Sequence, residues 1–425
     1  MTAEPDPTGF PSNAEDRAQL QLERLQSTLN RAFKTVPFHR RRFSAVMERG
    51  TPVPVETLDA LSALPFMERR DLGEHYPYGL FAVPLRDIVR IHTAAGATLN
   101  PTVSGYTAQD LGLWRRIVAT ALSAAGVTPH DILQISLDWG LANWGRDYKD
   151  GAETLGASVI PNTPLSLDKQ IMVLRDYKTS VLITTPSSAA QLAAHIHRIG
   201  LSPTALNIKT LILVGNPADR TFRDRLADRL HVETWLHYGL SEVPGPAMAF
   251  ECVEHDGLHV NTDHFLPEII DPQTGNPRTD DGFGELTLTT LTTRAFPLIR
   301  FRTGDGARWI SGACPCGAPF PRIHWSSRRT DEMINIEGVK VHNRQIQHHL
   351  EAALGVTPDF RPRIRVREDE PNCLEVQVVI DDRLFSDEIK VLENLVRRAE
   401  TRLHETLGVR VAIRLTERST DPDRG

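Results

Sequence analysis

One short segment near the middle of the chain combines a glycine turn with side chains that can hold a nucleotide. It covers residues 237–242, reads HYGLSE and follows an apolar run. The glycine lets the backbone approach a flat ring, the tyrosine can stack on that ring, and the serine and glutamate can reach a phosphate and a metal ion. Taken alone, such a segment is more often only a turn, so its neighbours decide the interpretation.

Two further segments support a nucleotide site. Downstream, residues 297–305 read PLIRFRTGD, in which Asp305 follows a glycine and is well placed to accept hydrogen bonds from both hydroxyls of a ribose. Upstream, residues 93–102 read TAAGATLNPT, a loop of small residues after the predicted strand Val89–Ile91. Three such segments in this order predict a site for a nucleoside and its phosphates.

These segments give the chain a specific resemblance to a known family. Over about residues 17–350 it resembles the phenylacetate–CoA ligase branch of the adenylate-forming superfamily. Besides the three segments, the resemblance rests on LPF at 64–66, YPYGLFAVP at 76–84, VRIH at 89–92, PTVSGYT at 101–107, DHF at 263–265 and GEL at 284–286. It implies a large domain that binds ATP and an acid, and a small lid that rotates between two half-reactions. The first joins the acid to AMP, and the second passes the acyl group to a thiol, usually that of coenzyme A.

The resemblance also implies roles for individual residues in the nucleotide site. Tyr238 and Gly239 would hold adenine, Glu242 would bind Mg²⁺, and Asp305 would bind the ribose. Arg302 would lie near the nucleotide and act with Glu242 in catalysis. The other nucleotide contacts that the resemblance implies are Gly96, Thr98, Gly215 and Ser241.

The acyl pocket and the hinge of the lid are assigned in the same way. The pocket would include Trp139, Gly140 and Trp144, and Asp331 would be the hinge. Tryptophan rings suit an aromatic acid because they offer a large contact area at a low entropy cost. Ordinary packing at the end of a strand explains the two tryptophans equally well.

The chain departs from the family pattern at the phosphate loop and in the lid. The family loop is rich in Ser, Thr and Gly and carries a lysine, whereas this chain has Ala95, Ala97 and Leu99 in the loop and Asn100 at the lysine position. Family members also carry a late Gly-Lys whose ammonium enters the site during adenylation, but the last lysine here is Lys390, inside a predicted helix. Each lost charge-assisted donor costs about 1.5–3 kcal/mol, so both departures weaken the prediction of adenylation.

Three cysteines and a histidine have the spacing of a structural zinc site. Cys252 and His259 flank the turn sequence EHDG, and Cys314 and Cys316 lie on one tight CPCG loop. Three cysteines and one histidine form a closed tetrahedral ligand set that zinc favours. We therefore predict structural Zn²⁺ at these four residues, with His255 as the alternative nitrogen ligand.

An α/β domain must position these segments. Between about Leu61 and Leu291 the sequence alternates apolar strand-like runs with amphipathic helices, which predicts largely parallel strands. The predicted strands are Ile132–Ser136, Ser158–Ile160, Ser180–Thr184 and Thr210–Val214, and the predicted helices are Gln109–Ser123, Ser166–Asp176, Ser187–Arg198 and Arg220–Arg229. Ligands of such sheets bind at the carboxyl ends of the strands, so the loops after these strands would form the site.

A change of pattern after Ser326 predicts a smaller second domain. Apolar residues alternate between Leu374 and Ile380, as in a half-buried strand, and a charged helix and a short strand follow at Asp387–Leu407 and Val409–Leu415. We predict a disordered lead-in over residues 1–16, a large α/β adenylate-forming domain with the zinc insert over residues 17–328, and an α+β lid over residues 329–425.

Bulk composition excludes several other classes of protein. The net charge of −6 over 425 residues argues against binding to nucleic acid or to a membrane surface. No apolar run is long enough for a membrane helix, and the N-terminal residues lack the features of a signal peptide. Four cysteines fit a reducing cytoplasm, and the resemblance implies a homodimer.

Three hypotheses about function follow. The first is an atypical ligase that uses ATP and Mg²⁺ to activate a small carboxylic acid, such as an aromatic one, and transfers the acyl group to CoA, a carrier-protein thiol or an amine. The second is a degenerate homologue that binds or uses an acyl adenylate or acyl-CoA made by a partner enzyme. The third, a non-catalytic subunit of an active ligase, is disfavoured because Glu242, Arg302 and Asp305 are retained.

Overall fold

The architecture comes from a computed structural model that describes residues 14–44, 55–94, 100–137, 141–163, 165–243, 245–336, 339–367, 370–380, 384 and 387–417. Most of the predicted lead-in therefore lies outside the described residues, as do residues 95–99 of the phosphate loop and residues 138–140 of the acyl pocket. Among the helices that are described, none is both long enough and apolar enough to cross a bilayer.

The N-terminal segments pack against the large domain and lead into a hairpin. Helix α1 ends at Thr35, just before Pro37, and α2 begins at that proline, because a proline is tolerated in the first turn of a helix. Strands β1 and β2 pair in antiparallel register, and residues 95–101 connect them. The elements are α1 (Ala14–Thr35), α2 (Pro37–Ser44), α3 (Arg69–Glu74), β1 (Arg90–Ala94) and β2 (Thr102–Tyr106).

Five parallel strands form one half of an 11-stranded sheet, in the order β7-β6-β5-β3-β4. The strands are β3 (Ile132–Ser136), β4 (Ser158–Ile160), β5 (Val181–Thr184), β6 (Thr210–Leu213) and β7 (Glu233–Tyr238). The helices are α4 (Ala108–Ala124), α5 (Ala142–Leu155), α6 (Leu167–Asp176), α7 (Pro186–Arg198) and α8 (Arg220–Leu230). The four predicted strands and four predicted helices are confirmed to within one residue at each end.

The other half of the sheet is antiparallel. Its order is β10-β11-β12-β13-β9-β8, and β8 pairs with β7 of the parallel half. The strands are β8 (Ala249–Phe250), β9 (Leu258–Val260), β10 (Phe265–Ile270), β11 (Gly284–Thr290), β12 (Phe301–Ile310) and β13 (Arg322–Arg329). The prediction of largely parallel strands as far as Leu291 is therefore wrong after β7. No described helix lies between β8 and β13, and parallel pairing needs such a crossover.

The C-terminal residues form an α+β unit with its own core. Strands β14 and β15 make a hairpin, while β16, β17 and β18 make a three-stranded sheet in that order. Leu374, Val376 and Leu403 are fully buried in the core of this unit. Its elements are β14 (Met333–Ile336), β15 (Val339–His342), α9 (Asn343–Leu354), β16 (Phe360–Arg367), β17 (Glu370–Ile380), α10 (Ile389–Leu407) and β18 (Val411–Glu417). Sequence patterns missed β14, β15 and β16.

Candidate active site and metal centre

Two glycines at the ends of neighbouring parallel strands open the predicted nucleotide site. Gly215 follows β6 and has a φ of 87°, a backbone conformation that favours glycine. Gly239 follows β7, and a Cβ atom at this position would lie 2.4 Å from the carbonyl oxygen of Gly245. Both strands therefore end in backbone that lacks side-chain bulk, at the sheet edge where a ligand is expected.

Tyr238 and Asp305 meet although their strands, β7 and β12, are not neighbours in the sheet. The Tyr238 hydroxyl donates to Asp305 Oδ2 at 2.9 Å, and both side chains are buried. The Tyr238 ring also makes an edge contact with Trp325, with 4.7 Å between ring centres. Burial and the neighbouring Asp305 raise the pKa of Tyr238 well above its usual value, so its hydroxyl remains a donor.

Arg329 connects Asp305 with the predicted hinge. One of its guanidinium nitrogens pairs with Asp305, and two nitrogens donate to the two carboxylate oxygens of Asp331 at 2.7 Å each. Burial alone would raise the pKa of Asp305, but Lys340 and Arg329 outweigh it and hold that pKa below its usual value. The sequence predicted only Asp331 as the hinge and assigned no role to Arg329. The signal that could have revealed its role is an arginine two residues before a hinge aspartate.

Glu242, the predicted Mg²⁺ ligand, is buried against a cation. It is 1 % exposed and forms an ion pair with Arg69 of helix α3. Arg69 also donates to the carbonyl oxygen of Thr303 at 3.1 Å and lies over the ring of Phe301. Burial lowers the pKa of Arg69. The sequence analysis did not identify Arg69, because nothing in the local pattern of α3 distinguishes it from a surface arginine.

Arg302 lies at the rim of the site, where it is held by another acid. Its Nη2 donates to Glu285 Oε2 at 2.5 Å and to the carbonyl oxygen of Pro272 at 3.2 Å. With Arg69, Asp331 and other residues it lines a cavity of about 210 Å³ between the large domain and the start of the lid. Arg302 is therefore close to the nucleotide residues, but it makes no hydrogen bond to those of them that the structure describes.

The lid contributes two polar residues that sequence reasoning did not anticipate. Asn335 Nδ2 donates to the carbonyl oxygen of Gly215 at 2.9 Å, and Lys340 Nζ lies 3.7 Å from Asp305 Oδ2. The family pattern places a lysine near the C-terminus, so it does not indicate Lys340 in the hairpin. Only the packing of the hairpin against the large domain reveals either contact.

Trp144 lies on α5 in a buried aromatic cluster. It is 6 % exposed and belongs to the same apolar cluster as Tyr148 and Trp235. The Tyr148 hydroxyl is 2.9 Å from Nδ1 of His237, the residue before Tyr238. Burial lowers the pKa of His237 to about 4, so its ring is neutral near pH 7.

The other predicted pocket residues, Trp139 and Gly140, lie outside the described residues, as do Gly96 and Thr98. Ser241 is half-buried next to Glu242.

The four predicted zinc ligands converge at one place. The Sγ atoms of Cys252 and Cys314 are 3.6 Å apart, Cys316 Sγ is 3.4 Å from His259 Nε2, and all four ligand atoms lie within 4.8 Å of one another. A zinc tetrahedron with bonds of about 2.0–2.3 Å has edges of about 3.3–3.8 Å, which these two distances match. His259 Nδ1 is 3.0 Å from the carbonyl oxygen of Phe320, a contact that orients Nε2 toward the cysteines.

His255, the alternative nitrogen ligand, points elsewhere. Its Nδ1 is 3.3 Å from Glu251 Oε2, and its ring packs on Trp235 with 4.5 Å between ring centres. Glu251 in turn holds Arg223 through two hydrogen bonds of 2.6 and 2.7 Å. Within the described residues, His255 therefore belongs to a buried ion-pair network and not to the cysteine cluster.

Comparison with known proteins agrees with this geometry. Residues 338–424 match the family model described as the AMP-binding enzyme C-terminal domain. The phenylacetate–coenzyme A ligase of Thermus thermophilus is 37% identical over 388 residues, which cover 91% of this chain and 86% of that protein. The phenylacetate–coenzyme A ligase of Escherichia coli is 35% identical over 373 residues, which cover 87% of this chain and 84% of that protein.

Solved structures show the same fold at lower sequence identity. A 2-hydroxyisobutyryl-CoA ligase in the thioesterification state superposes with a TM-score of 0.87 at 23% identity, over 97% of this chain and 89% of that one. The same ligase in the postadenylation state gives a TM-score of 0.69 at 24% identity, over 96% and 87% of the two chains. This chain therefore superposes better on the thioesterification-state structure than on the postadenylation-state structure.

Proposed function

Because the chain belongs to the phenylacetate–CoA ligase family of adenylate-forming enzymes, we propose that it activates a small carboxylic acid as an acyl adenylate and transfers the acyl group to CoA. The observation that carries this proposal is the buried Tyr238–Asp305 pair, which lies with Gly239 and Glu242 at the carboxyl end of β7. An aromatic ring for adenine, a carboxylate for the ribose, a second carboxylate for the metal ion and a lid that contacts Asp305 are parts that this chemistry needs.

Each residue has a defined task in the proposed reaction. Asp305 accepts hydrogen bonds from the ribose hydroxyls, and Tyr238 packs on adenine. Glu242 would hold Mg²⁺ in place of its present partner Arg69, and the ion would supply positive charge that neutralises the phosphates. Arg69 then remains as a second positive charge close to the phosphates, so the pair that it forms with Glu242 keeps both groups positioned before the nucleotide arrives.

The acid that we propose is small and planar. Trp144 and Tyr148 are buried on the face of α5 that packs on the sheet, and we propose that their rings form aromatic walls of the acyl pocket. A flat ring would stack on such walls at a low entropy cost. CoA is the acceptor that we favour over a carrier-protein thiol or an amine, because the relatives are named for CoA.

The test is acid-dependent exchange of labelled pyrophosphate into ATP, followed by detection of acyl-CoA by mass spectrometry. Phenylacetate, benzoate and small aliphatic acids form the panel. We expect exchange with at least one aromatic acid and formation of its CoA thioester. If no acid in a broad panel supports exchange, adenylation by this chain is excluded.

In a second candidate function, the chain catalyses only the second half-reaction, the transfer of the acyl group to a thiol. It is motivated by Ala95, Ala97 and Asn100, which replace the small polar and lysine positions of the family loop. The chain would then take an acyl adenylate made elsewhere and form the thioester. Calorimetry distinguishes the two functions: binding of a synthetic acyl adenylate without measurable binding of ATP supports the second, whereas tight ATP binding contradicts it.

We further propose that Cys252, His259, Cys314 and Cys316 hold a structural zinc ion. Four protein ligands close the tetrahedron and leave no position for substrate, and the cluster is built from the loop after β8, strand β9 and the loop between β12 and β13. The cytoplasmic location and the homodimer remain proposals, which cell fractionation and light scattering of the purified protein would test.

A further inference from the structure

The hairpin of β14 and β15 presents one polar face to the large domain. Asn335 lies directly opposite Lys340 in the hairpin register, so the two side chains share a face, while the alternate residues pack in the core of the lid. Asn335 donates to the carbonyl oxygen of Gly215, and Lys340 lies beside Asp305. This face of the hairpin therefore covers two residues that are predicted to bind the nucleotide.

The ammonium group of Lys340 has N–H donors that no described acceptor uses. Its Nζ atom is buried and has no hydrogen-bond acceptor among the described residues. Asp305 Oδ2 lies 3.7 Å away, beyond hydrogen-bond distance, and Asp305 already accepts from Tyr238 and pairs with Arg329. Burial of an ammonium group is costly unless anions or acceptors surround it. The position thus suits a group that binds an anionic ligand held next to Asp305.

The sequence supplies an independent reason for a cation at this place. The family pattern puts a lysine in the phosphate loop, where this chain has Asn100, and a second lysine late in the lid, where this chain has none after Lys390. Asn100 Nδ2 instead donates to the carbonyl oxygen of Gly73 at 3.3 Å. At the lysine position of the phosphate loop, this chain therefore has an amide that already bonds to the backbone and not a cation.

We propose that Lys340 binds the nucleotide phosphate in the domain arrangement seen here, and so supplies from the lid hairpin a cation that the altered phosphate loop lacks. This inference rests on the proposed function. A nucleotide whose ribose hydroxyls bond to Asp305 carries its 5′-phosphate on the same ribose, within reach of a flexible lysine side chain. Lys340 would then touch substrate, which makes it a catalytic residue for thioester formation.

The chemistry of that step shows why a cation helps. The thiol of CoA releases its proton to solvent and attacks the acyl carbonyl carbon. The carbon–sulfur bond forms, the bond between the acyl carbon and the phosphate oxygen breaks, and AMP leaves with both electrons of that bond. The phosphate charge grows from one to two during this step. A cation at the phosphate therefore stabilises the transition state more than the ground state.

The protonation of Lys340 gives a second readout. Burial lowers the pKa of Lys340 to about 7, and Asp305 opposes this effect, as does Asp331, whereas Arg69 and Arg329 add to it. A bound phosphate raises that pKa again because it stabilises the charged form. At pH 8 the free protein carries a mostly neutral Lys340, so binding of AMP takes up most of one proton.

The experiment is titration calorimetry of AMP, the nucleotide product of the step, into the full-length protein at pH 8 in two buffers of different ionisation enthalpy. We expect Lys340→Met to weaken AMP binding about tenfold or more and to abolish the proton uptake. Lys340→Arg restores affinity without proton uptake, because arginine stays charged. Lys390→Met, an exposed lysine in the same domain, behaves as the wild type. Thermal melts confirm that each variant is folded.

The outcomes separate the inference from the proposed function. If Lys340→Met binds AMP as tightly as the wild type and takes up the same proton, Lys340 does not bind the phosphate, and the inference is wrong while the ligase proposal stands. If Lys340→Met only lowers the melting temperature, its role is structural. A wild-type protein that does not bind AMP at all overturns both proposals.

Discussion

The oppositely charged side chains of this site already form ion pairs with one another. Glu242 pairs with Arg69, and Asp305 pairs with Arg329 and lies near Lys340, all in buried surroundings. Removing one member of such a pair leaves an uncompensated buried charge, whereas a ligand that replaces one member does not. We therefore expect the proposed binding of ATP and Mg²⁺ to be an exchange of partners among groups that are already in place.

Glu242→Gln tests the metal role of this carboxylate. Because glutamine is neutral, Mg²⁺ binds less tightly, and we expect acid-dependent pyrophosphate exchange to fall by about a hundredfold or more. AMP binding without metal should change much less. Glu233→Gln, at an exposed glutamate at the start of β7, the strand that precedes Glu242, is the control, and exchange at the wild-type rate in Glu242→Gln would exclude a metal role.

Trp144→Ala tests the wall of the acyl pocket. Removing this buried ring should lower the free energy of unfolding by about 3–5 kcal/mol and open space for bulkier acids. The measurements are chemical denaturation and pyrophosphate exchange over a panel of acids of increasing size. Trp309→Ala, outside the α5 cluster, should reduce stability without a change in acid preference. An unchanged preference in Trp144→Ala would mean that the ring only packs.

At the scale of elements, the sheet and its loops decide where chemistry can occur. The parallel strands deliver Gly215 and Tyr238 to one edge, and the antiparallel strands deliver Asp305 to the same place from another part of the sequence. The loops next to β8, β9, β12 and β13 bring the four zinc ligands together on the antiparallel half. A zinc ion would therefore stabilise the half of the sheet that carries Asp305, without entering the reaction.

Cys314→Ser tests the zinc site. Loss of one thiolate should reduce bound zinc from about one ion per chain to near none, and the melting temperature should fall. Elemental analysis and thermal melts with and without chelator measure both effects. Cys373→Ser, at a buried cysteine in the lid sheet, should keep its zinc and its sensitivity to chelator. Equal metal content in wild type and Cys314→Ser would refute the site.

At the scale of the whole molecule, the lid contacts the large domain through polar groups of its first hairpin. The contacts that connect the lid to the large domain include Asn335 with Gly215 and Lys340 with Asp305. Both end on residues predicted to bind the nucleotide. Nucleotide binding and lid position must therefore influence each other, since they compete for or share the same groups.

Asn335→Asp tests this connection. A carboxylate in place of the amide would face the carbonyl oxygen of Gly215. The hydrogen bond would be lost and the two oxygens would repel each other, so docking of the lid should become less favourable by about 1–3 kcal/mol. Small-angle scattering should show a larger radius of gyration than in the wild type. Asn276→Asp, on an exposed loop of the large domain, should leave the radius unchanged. A compact Asn335→Asp protein would show that other contacts hold the lid.

Sequence alone determined the parts of the protein that depend on local pattern. Apolar periodicity located β3–β6 and the helices α4, α6, α7 and α8 to within one residue, and the type and spacing of Cys252, His259, Cys314 and Cys316 predicted a cluster that the structure brings together. The motifs around Tyr238 and Asp305 identified the family, which the relatives confirm. The strands, helices and motifs are local because each is set by residues close to one another in the chain, and the zinc ligands fall into two such local pairs.

Only the tertiary structure decided which distant groups meet. The local sequence assigns no role to Arg69, Arg329 or Lys340. Each has a role only because the fold brings it close to an acidic residue that is distant in the sequence or lies in the other domain. The antiparallel half of the sheet was also missed, because strand direction depends on the path of the chain and not on side-chain alternation. Long-range charge pairing has no sequence period, so the fold must be known before such pairs are visible.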